Sequence, residues 1–466
     1  MNDTTDVQES SSPQSIHLLQ EQIVVVFQEM LSQVQSHSPQ ATKRKRGSPP
    51  KLPTQQLWLS LLVGIFQSSG SFRDIWRLLL LEPLGTFPAI KMTYEGVRKR
   101  LLSLGCNALQ ELYEHLRLVL EQRDRPVKRS ALPLASFAKE VVALDETTLD
   151  TLKRLTSDLK EIPNKDPHLL AGKLSGLFDL RRQQWRCLQL RTDILAGCNI
   201  GVGAFLEGLP RGSLLLADLG YFGFLWFDTL TKMGYYYISR LRENGTYIVN
   251  TVLYQDEENQ VLDAIVWLGA YRADRAAHAV RLVQFEMNGT LFRYITNVLD
   301  PLELPLLEIA QLYARRWDIE LIFKVLKRDL GIHIWWAAKQ ELVEIQLWIA
   351  LILAQIVCAL RFDIAEQANV DLFDVSLPLL MKVLGRIKDS SQPLLQKIVE
   401  NGRFWGIIRP NRRNKITAPA LHLNGYRLLP EKALLLQEPR YAGRNPHPRK
   451  EAFLPRYQDR FIVDFP

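Results

Sequence analysis

The sequence predicts an α/β protein, a mixed sheet with helical regions before and after it. Three observations carry that expectation. Two short β-type apolar runs, residues 141–144 and 214–217, lead directly into aspartates, Asp145 and Asp218. Between residues 141 and 239 the pattern reads as three strands, a helix, a strand, a helix and a strand, which periodicity alone makes a mixed α/β sheet. On either side, over residues 55–104 and again from residue 313, apolar residues recur at helical spacing.

Composition sets the frame for these elements. A chain of 466 residues exceeds one ordinary core, so two or three domains are expected. Hydrophobic content of 47% with 23% charged residues is that of a soluble globular protein. The formal charge of +8 is unevenly spread: from residue 401 onward 13 Lys+Arg face 5 Asp+Glu, a surplus equal to the whole net charge. An anionic partner follows, nucleic acid foremost, with a merely solvated basic tail as the other reading. Cys106, Cys187, Cys198 and Cys358 form neither a CxxC pair nor a zinc spacing with histidine, and read as reduced and intracellular. The N-terminus is acidic and polar, unlike a secretory signal. Residues 345–360 are uncharged, but 16 positions fall short of the ~20 needed to span a bilayer, so they read as a buried helix.

In chain order, residues 1–15 are polar, serine-rich and expected to be disordered, and residues 16–35 have helical spacing. Lys43-Arg44-Lys45-Arg46-Gly47-Ser48-Pro49-Pro50 breaks the pattern as a basic linker, so residues 1–54 form a flexible N-terminal segment. Residues 55–130 follow as a helical, DNA-binding region. In it Thr93 is a good N-cap for a helix carrying Arg98, Lys99 and Arg100, after a Gly- and Pro-marked turn at residues 84–88. As the reader of a helix-turn-helix, that helix offers Tyr94, Glu95, Arg98 and Lys99 to base edges. As an ordinary amphipathic helix it presents a basic face.

The sheet core is expected over residues 135–335. Residues 173–179 and 185–192 read as a hairpin, residues 199–207 and 222–233 as helices, and residues 235–239 as a strand. Further strand-like runs, with Asn288-Gly289 as a hairpin turn, fill a β-rich insertion at about residues 241–296. After Lys327 the chain is expected to be helical to about residue 395, and residues 336–466 form a C-terminal helical region that ends in a Pro- and Arg-rich basic tail.

The stretch YARRWDIELIFKVLK, residues 313–327, is the centre of the functional argument. On one helix at about 100° per residue, Tyr313, Arg316, Glu320 and Lys327 share an arc of roughly 60°, and the remaining faces are mostly apolar. A salt-bridged surface stripe is one reading, since Arg316 with Glu320 and Glu320 with Lys324 both stand at i, i+4. The strand-end acids weigh against it. A carboxylate at the end of a buried strand is costly unless it is paired or metal-bound. Two such acids converging with a third from a helix make a hard-oxygen site suited to Mg²⁺ or Mn²⁺. Three carboxylates are about the minimum protein set for two such ions acting on a phosphodiester. Serine-triad and thiol mechanisms find no motif, there being no G-x-S-x-G and no convincing Cys/His context.

The spacing Y-x2-R-x3-E-x6-K is met at all four positions by Tyr313, Arg316, Glu320 and Lys327, and Ala217-Asp218-x-Gly220-Tyr221 is similar to a companion motif. On these residues the chain resembles the DDE transposases of bacterial insertion sequences, insertion-sequence family four, over roughly residues 145–327. Glu146-Thr147 follows the first acid where many relatives have a small residue before the threonine, and Asp150 is also close. The resemblance implies a ribonuclease H-like catalytic core with a β-rich insertion. It implies Asp145, Asp218 and Glu320 as catalytic metal ligands for two Mg²⁺ or Mn²⁺ ions, and Tyr313, Arg316 and Lys327 as contacts to DNA. An insertion tryptophan that supports a flipped base is also implied. Trp267 is the tryptophan available there, and sheet core is its other reading.

The function so implied is cut-and-paste transposition in the bacterial cytoplasm, at the nucleoid. Transposon ends and target DNA are the partners, a homodimer pairs two ends, and no membrane is involved. A nuclease without strand transfer and a non-catalytic DNA-binding derivative are the competing readings. Three retained carboxylates argue against the second.

Overall fold

The structure, a computed structural model, describes residues 51–410 apart from 68, 123–134, 153–159, 164–165, 192, 196–197, 199–201, 259, 270–274 and 385–392. The helix expected over residues 16–35, the linker at 43–50 and the tail beyond 410 lie outside the described residues.

Among the described residues four helices precede the sheet: α1 (Thr54–Phe66), α2 (Phe72–Leu81), α3 (Tyr94–Leu104) and α4 (Asn107–Gln122). The sheet contains β1 (Val141–Thr148), β2 (Lys173–Asp179), β3 (Gln184–Arg191), β4 (Leu214–Ala217), β5 (Tyr236–Arg240), β6 (Tyr247–Asp256), β7 (Val261–Leu268), β8 (Val280–Met287) and β9 (Thr290–Thr296). Its nine strands run in the order β3-β2-β1-β4-β5-β9-β8-β7-β6. β1, β4 and β5 are parallel. The connections between them carry α5 (Val202–Glu207) and α6 (Phe224–Met233). All four residues of β4 are buried, as an apolar strand covered on both faces requires.

The β-rich stretch is continuous with this core. Ile238, Ser239 and Arg240 of β5 pair antiparallel with Thr296, Ile295 and Tyr294 of β9. The β8–β9 turn is Asn288-Gly289, with φ of +53° and +72°, the left-handed pair that a two-residue hairpin demands. Within the stretch Arg281 and Asp263, both fully buried, form a two-bonded ion pair at 2.7 and 2.6 Å. Arg281 also donates to the Leu304 carbonyl at 2.6 Å, tying β7 and β8 to the segment that enters the next helix.

That segment leads into α7 (Leu306–Arg315) and α8 (Trp317–Lys324), then a π-helical turn at Val325–Asp329. The stretch expected as one regular helix is therefore three pieces, with Arg316 between the first two in helical conformation (φ −52°, ψ −32°). Continuous helix beyond Lys327 is not found. Gly331, at φ +68°, turns the chain away, and residues 331–339 are irregular. Trp335 and Trp336 anchor that stretch: their indole N–H groups donate to the carbonyls of Asp150 and Ser69, each at 3.0 Å. Helices α9 (Gln340–Gln367), α10 (Leu377–Leu384) and α11 (Leu394–Asn401) follow. α9 is longer than the 16 apolar positions suggested: its 28 residues make it long and apolar enough to cross a membrane by length and composition, and 89% of its apolar window is buried within the protein.

Strand alternation sorts the sheet into two faces. Val141, Ala143, Leu214 and Leu216 join one apolar core with residues of α1–α4 and α7–α11, extending from Leu52 to Ile408. Val142, Leu144, Leu215 and Ala217 point the other way, against α5 and α6.

Candidate active site

The site forms where the parallel β1–β4 pairing stops. Its last matched pair is Leu144 and Ala217, so Asp145 and Asp218 are the next residues on neighbouring strands. Asp145 is not a strand end, contrary to the sequence reading: β1 runs on to Thr148 against β2, with Asp145 opposite Gly176. A side chain at Gly176 has no room, because a Cβ there falls 2.7 Å from the Trp185 ring. Trp185 in turn supports Phe323 of α8 at 5.1 Å between centroids, which seats that helix over β1.

α8 brings Glu320 to the two aspartates, and Arg316 lies among all three. Its Nη1 is 3.3 Å from Asp145 Oδ2, and its Nη2 is 2.7 Å from Glu320 Oε1 and 4.0 Å from Asp218 Oδ1. The i, i+4 pair of the surface-stripe reading thus exists, but within a three-carboxylate arrangement around a guanidinium only 6% exposed. Burial opposes the charge on Arg316; Tyr313, Asp218, Asp145 and Glu320 outweigh it and hold its pKa above the ordinary value. Desolvation pushes the Asp145 carboxyl up to about 6, against the Glu146 N–H bond and Arg316, which favour its charge; Glu320 and Asp218 add to the rise.

The neighbouring acids have other work. Glu146, on the opposite face of β1, pairs with Lys173 at 3.2 Å and with Arg191, and accepts from Ser175 Oγ at 2.8 Å. Asp145 is thus the acid of this group that pairs with Arg316.

The other predicted residues fall in different settings. Tyr313 is buried instead of standing on an exposed stripe, because α7 packs against the sheet. Its ring meets Tyr294 at 5.0 Å, and its hydroxyl donates to the Ala217 carbonyl at 3.4 Å, next to Asp218. Burial raises its pKa. Lys327, on the π turn, donates to the carbonyl of Thr148 at the end of β1. Trp267 is 3% exposed within β7, the sheet-core setting. Arg98 and Lys99 lie on α3, outside the carboxylate cluster. Thr93 caps that helix by accepting from Gly96 N at 3.2 Å, Arg98 pairs with Glu95 at 3.1 Å, and Lys99 is exposed. Tyr94 is committed to packing, edge-on to Phe72 and Trp76 of α2.

Sequence reasoning missed two supports of the site. Arg315 donates to the buried Asp318 at 2.9 Å, and Gln183 donates to the same carboxylate at 3.2 Å, pinning α8 to the β2–β3 turn. The i, i+3 spacing of Arg315 and Asp318 was the available signal. Trp317, half exposed, has the Arg316 and Lys324 cations 5.6 and 5.9 Å from its ring. Nothing in the apolar pattern distinguished it from a core residue.

Residues 137–356 match the family described as Transposase DDE domain. Over that stretch the chain is similar to a transposase DDE domain. Asp145, Asp218, Tyr313, Arg316, Glu320 and Lys327 all lie inside it. Curated relatives agree: over 374 residues the chain is 24% identical to the transposase for insertion sequence element IS231C of Bacillus thuringiensis subsp. berliner, covering 67% of this chain and 74% of that protein. It is 27% identical over 251 residues to the IS231B transposase of the same subspecies, covering 42% and 51%. These matches support a DDE transposase of a bacterial insertion sequence. Among solved structures, the cryo-EM structure of the piggyBac transposase synaptic complex with hairpin DNA aligns over 90% of this chain and 88% of that one, at TM-score 0.37 and 10% identity, a likeness too loose to argue from.

A transposase DDE domain implies divalent-metal dependence in general. Among the described residues no group of three or more His, Cys, Asp or Glu is close enough to hold an ion. The donor set nevertheless fits a hard cation: three carboxylates already surround one positive charge, the Arg316 guanidinium.

Proposed function

We propose that this transposase works by cut-and-paste: it binds the ends of its element, hydrolyses a phosphodiester there and joins the freed 3′ ends to target DNA. The observation that carries the reading is the meeting of Asp145, Asp218 and Glu320 around Arg316, where the parallel β1–β4 pairing stops and α8 packs over β1. Asp145, Asp218 and Glu320 would hold two Mg²⁺ or Mn²⁺ ions, which when bound supply the charge neutralisation that phosphodiester cleavage needs.

In cleavage the water oxygen bonds to phosphorus as the P–O3′ bond breaks, leaving a 3′-hydroxyl on one side and a phosphate on the other. In joining, that 3′-hydroxyl oxygen takes the water's place: it bonds to a target phosphorus as the target's own P–O3′ bond breaks, and its proton leaves a 3′-hydroxyl on the target strand. Arg316, a guanidinium already beside the carboxylates, is suited to orient the scissile phosphate. Tyr313 braces the strand end next to Asp218, and Lys327 braces the end of β1. The ribonuclease H-like topology, insertion-sequence family four, the homodimer pairing two ends and action at the bacterial nucleoid belong to the same proposal.

Incubation of purified protein with Mg²⁺ and the terminal repeats of its own element tests it. The parent is expected to cleave and join. Asp145→Asn, Asp218→Asn and Glu320→Gln are expected to bind ends and do neither. Cleavage without joining would favour the nuclease reading. A Glu320→Gln protein that cleaves at the parental rate sinks the assignment.

A further inference from the structure

Beside the carboxylate cluster, α8 borders a second concavity. Asp318, Leu321, Ile322 and Val325 lie roughly 100–200° around the helix from Glu320 and turn toward it. With the π turn they form one wall of a cleft of about 640 Å³, whose other wall comes from α9, the segment around Phe373–Leu377, and Arg409. Four cations line it, Lys324, Arg328, Arg361 and Arg409, against two acids, Asp318 and Asp329. Asp318 is paired with Arg315 at 2.9 Å. Burial raises the pKa of Asp329, against Arg328 and Lys382, which favour its charge.

The cations are differently held. Arg361 is fixed in the wall, its Nε donating to the Val375 carbonyl at 2.8 Å and its guanidinium 5.2 Å from the Phe373 ring. Arg328 and Arg409 are exposed, and among the described residues neither is ion-paired with a carboxylate. The π turn joins the two sites: Lys327 reaches the end of β1 on the carboxylate side, and Arg328, the next residue, lines the cleft. Such turns are frequent at functional sites.

We propose that this cleft binds the phosphodiester backbone of a second DNA segment, separate from the one whose bond the carboxylates address. The inference rests on the transposase reading. The basic tail and a second copy of this chain, at net +8, carry the same sign of charge as the cleft. An anion is what exposed guanidinium groups attract, and guanidinium–phosphate geometry favours a phosphodiester. One helix, about 10 Å across, separates the cleft from Glu320. A duplex lying there runs beside the site of chemistry.

The test compares full-length parent with the Arg328→Ala/Arg409→Ala protein in equilibrium binding to a short duplex of unrelated sequence over a salt series. Inorganic phosphate is a second probe, and cleavage of terminal repeats is scored in parallel. The log-log salt slope is expected to become shallower by about 0.9 for each phosphate no longer neutralised, about 1.8 for the pair. The Arg328→Lys/Arg409→Lys protein, which keeps the charges, is expected to retain most of the parental slope. An unchanged slope in the alanine protein, with a parent that cleaves ends, overturns the cleft and leaves the transposase reading standing. Saturable phosphate binding that the alanine pair abolishes, with an unchanged duplex slope, makes the cleft a free-phosphate site and overturns the proposal. A parent that neither binds duplex nor cleaves ends overturns both.

Discussion

Arg316→Ala removes the cation that three carboxylates share. The guanidinium is 6% exposed, and Asp145 is 15% exposed at 3.3 Å. Breaking a buried pair from one side costs about 3–5 kcal/mol. Asp218 at 45% and Glu320 at 25% exposure are better screened by water, so the lower end, about 3 kcal/mol, is expected in the metal-free protein. Divalent metal should reverse the order of effects. An ion entering between the same carboxylates meets a guanidinium in the parent and none in the variant, so the variant is expected to bind Mg²⁺ or Mn²⁺ at least about tenfold more tightly, some 1.4 kcal/mol. Denaturant unfolding in chelator and across a metal titration reads both quantities, because stability grows with ligand as RT ln(1 + [L]/Kd). If parent and variant gain equal stability at every metal concentration, the guanidinium and the ion do not compete, and the reasoning from this geometry fails.

Asp145 gives a pH signature. Its folded pKa of about 6 exceeds the ordinary 3.8, so the folded protein keeps the proton longer; stability from this group is fully present below the lower value and is lost as pH rises through about 6. Relative to Asp145→Asn in chelator, the parent should lose about 3 kcal/mol between those limits, and a flat difference in unfolding free energy would contradict the burial argument. Arg281→Met strands the buried Asp263 carboxylate and should cost about 3–5 kcal/mol by thermal or denaturant unfolding, with partial recovery when Asp263→Leu is added; a loss under about 1 kcal/mol would mean water reaches the pair. Arg98→Ala with Lys99→Ala should leave stability within about 0.5 kcal/mol and lower the preference for cognate ends over random DNA in competition binding. Unchanged preference removes α3 from end reading.

Legibility followed physical range. β2 has the bounds that its apolar pattern predicted, and β4 is the short apolar run it was expected to be, because burial on both faces forces an unbroken run. Asp145 and Asp218 were expected together because each follows a buried apolar run, and Glu320 was added to them by the Y-x2-R-x3-E-x6-K spacing; the structure brings the three side chains around Arg316. Three features were not legible. Alternation along β1 separates Asp145 from Glu146, but only the β1–β4 register shows which acid stands beside Asp218. Regular helix geometry put Tyr313 on the exposed stripe, whereas the fold buries its ring under Tyr294. The Arg281–Asp263 pair joins residues 18 apart on adjacent strands, and no local pattern announces such a partner.

The β5–β9 pairing has a consequence for anyone wishing to rebuild this protein. A β-rich segment hung on loops is a detachable module, open to exchange or deletion. Here excision of residues 241–296 would strip the backbone of β5 of its neighbour and leave the strand beside β4 as a raw margin, ready to adhere to any other exposed strand. The tip at Asn288-Gly289 is the opposite case, a place where added residues leave the ladder untouched. Grafting therefore belongs at the turn, and the nine strands are to be inherited together.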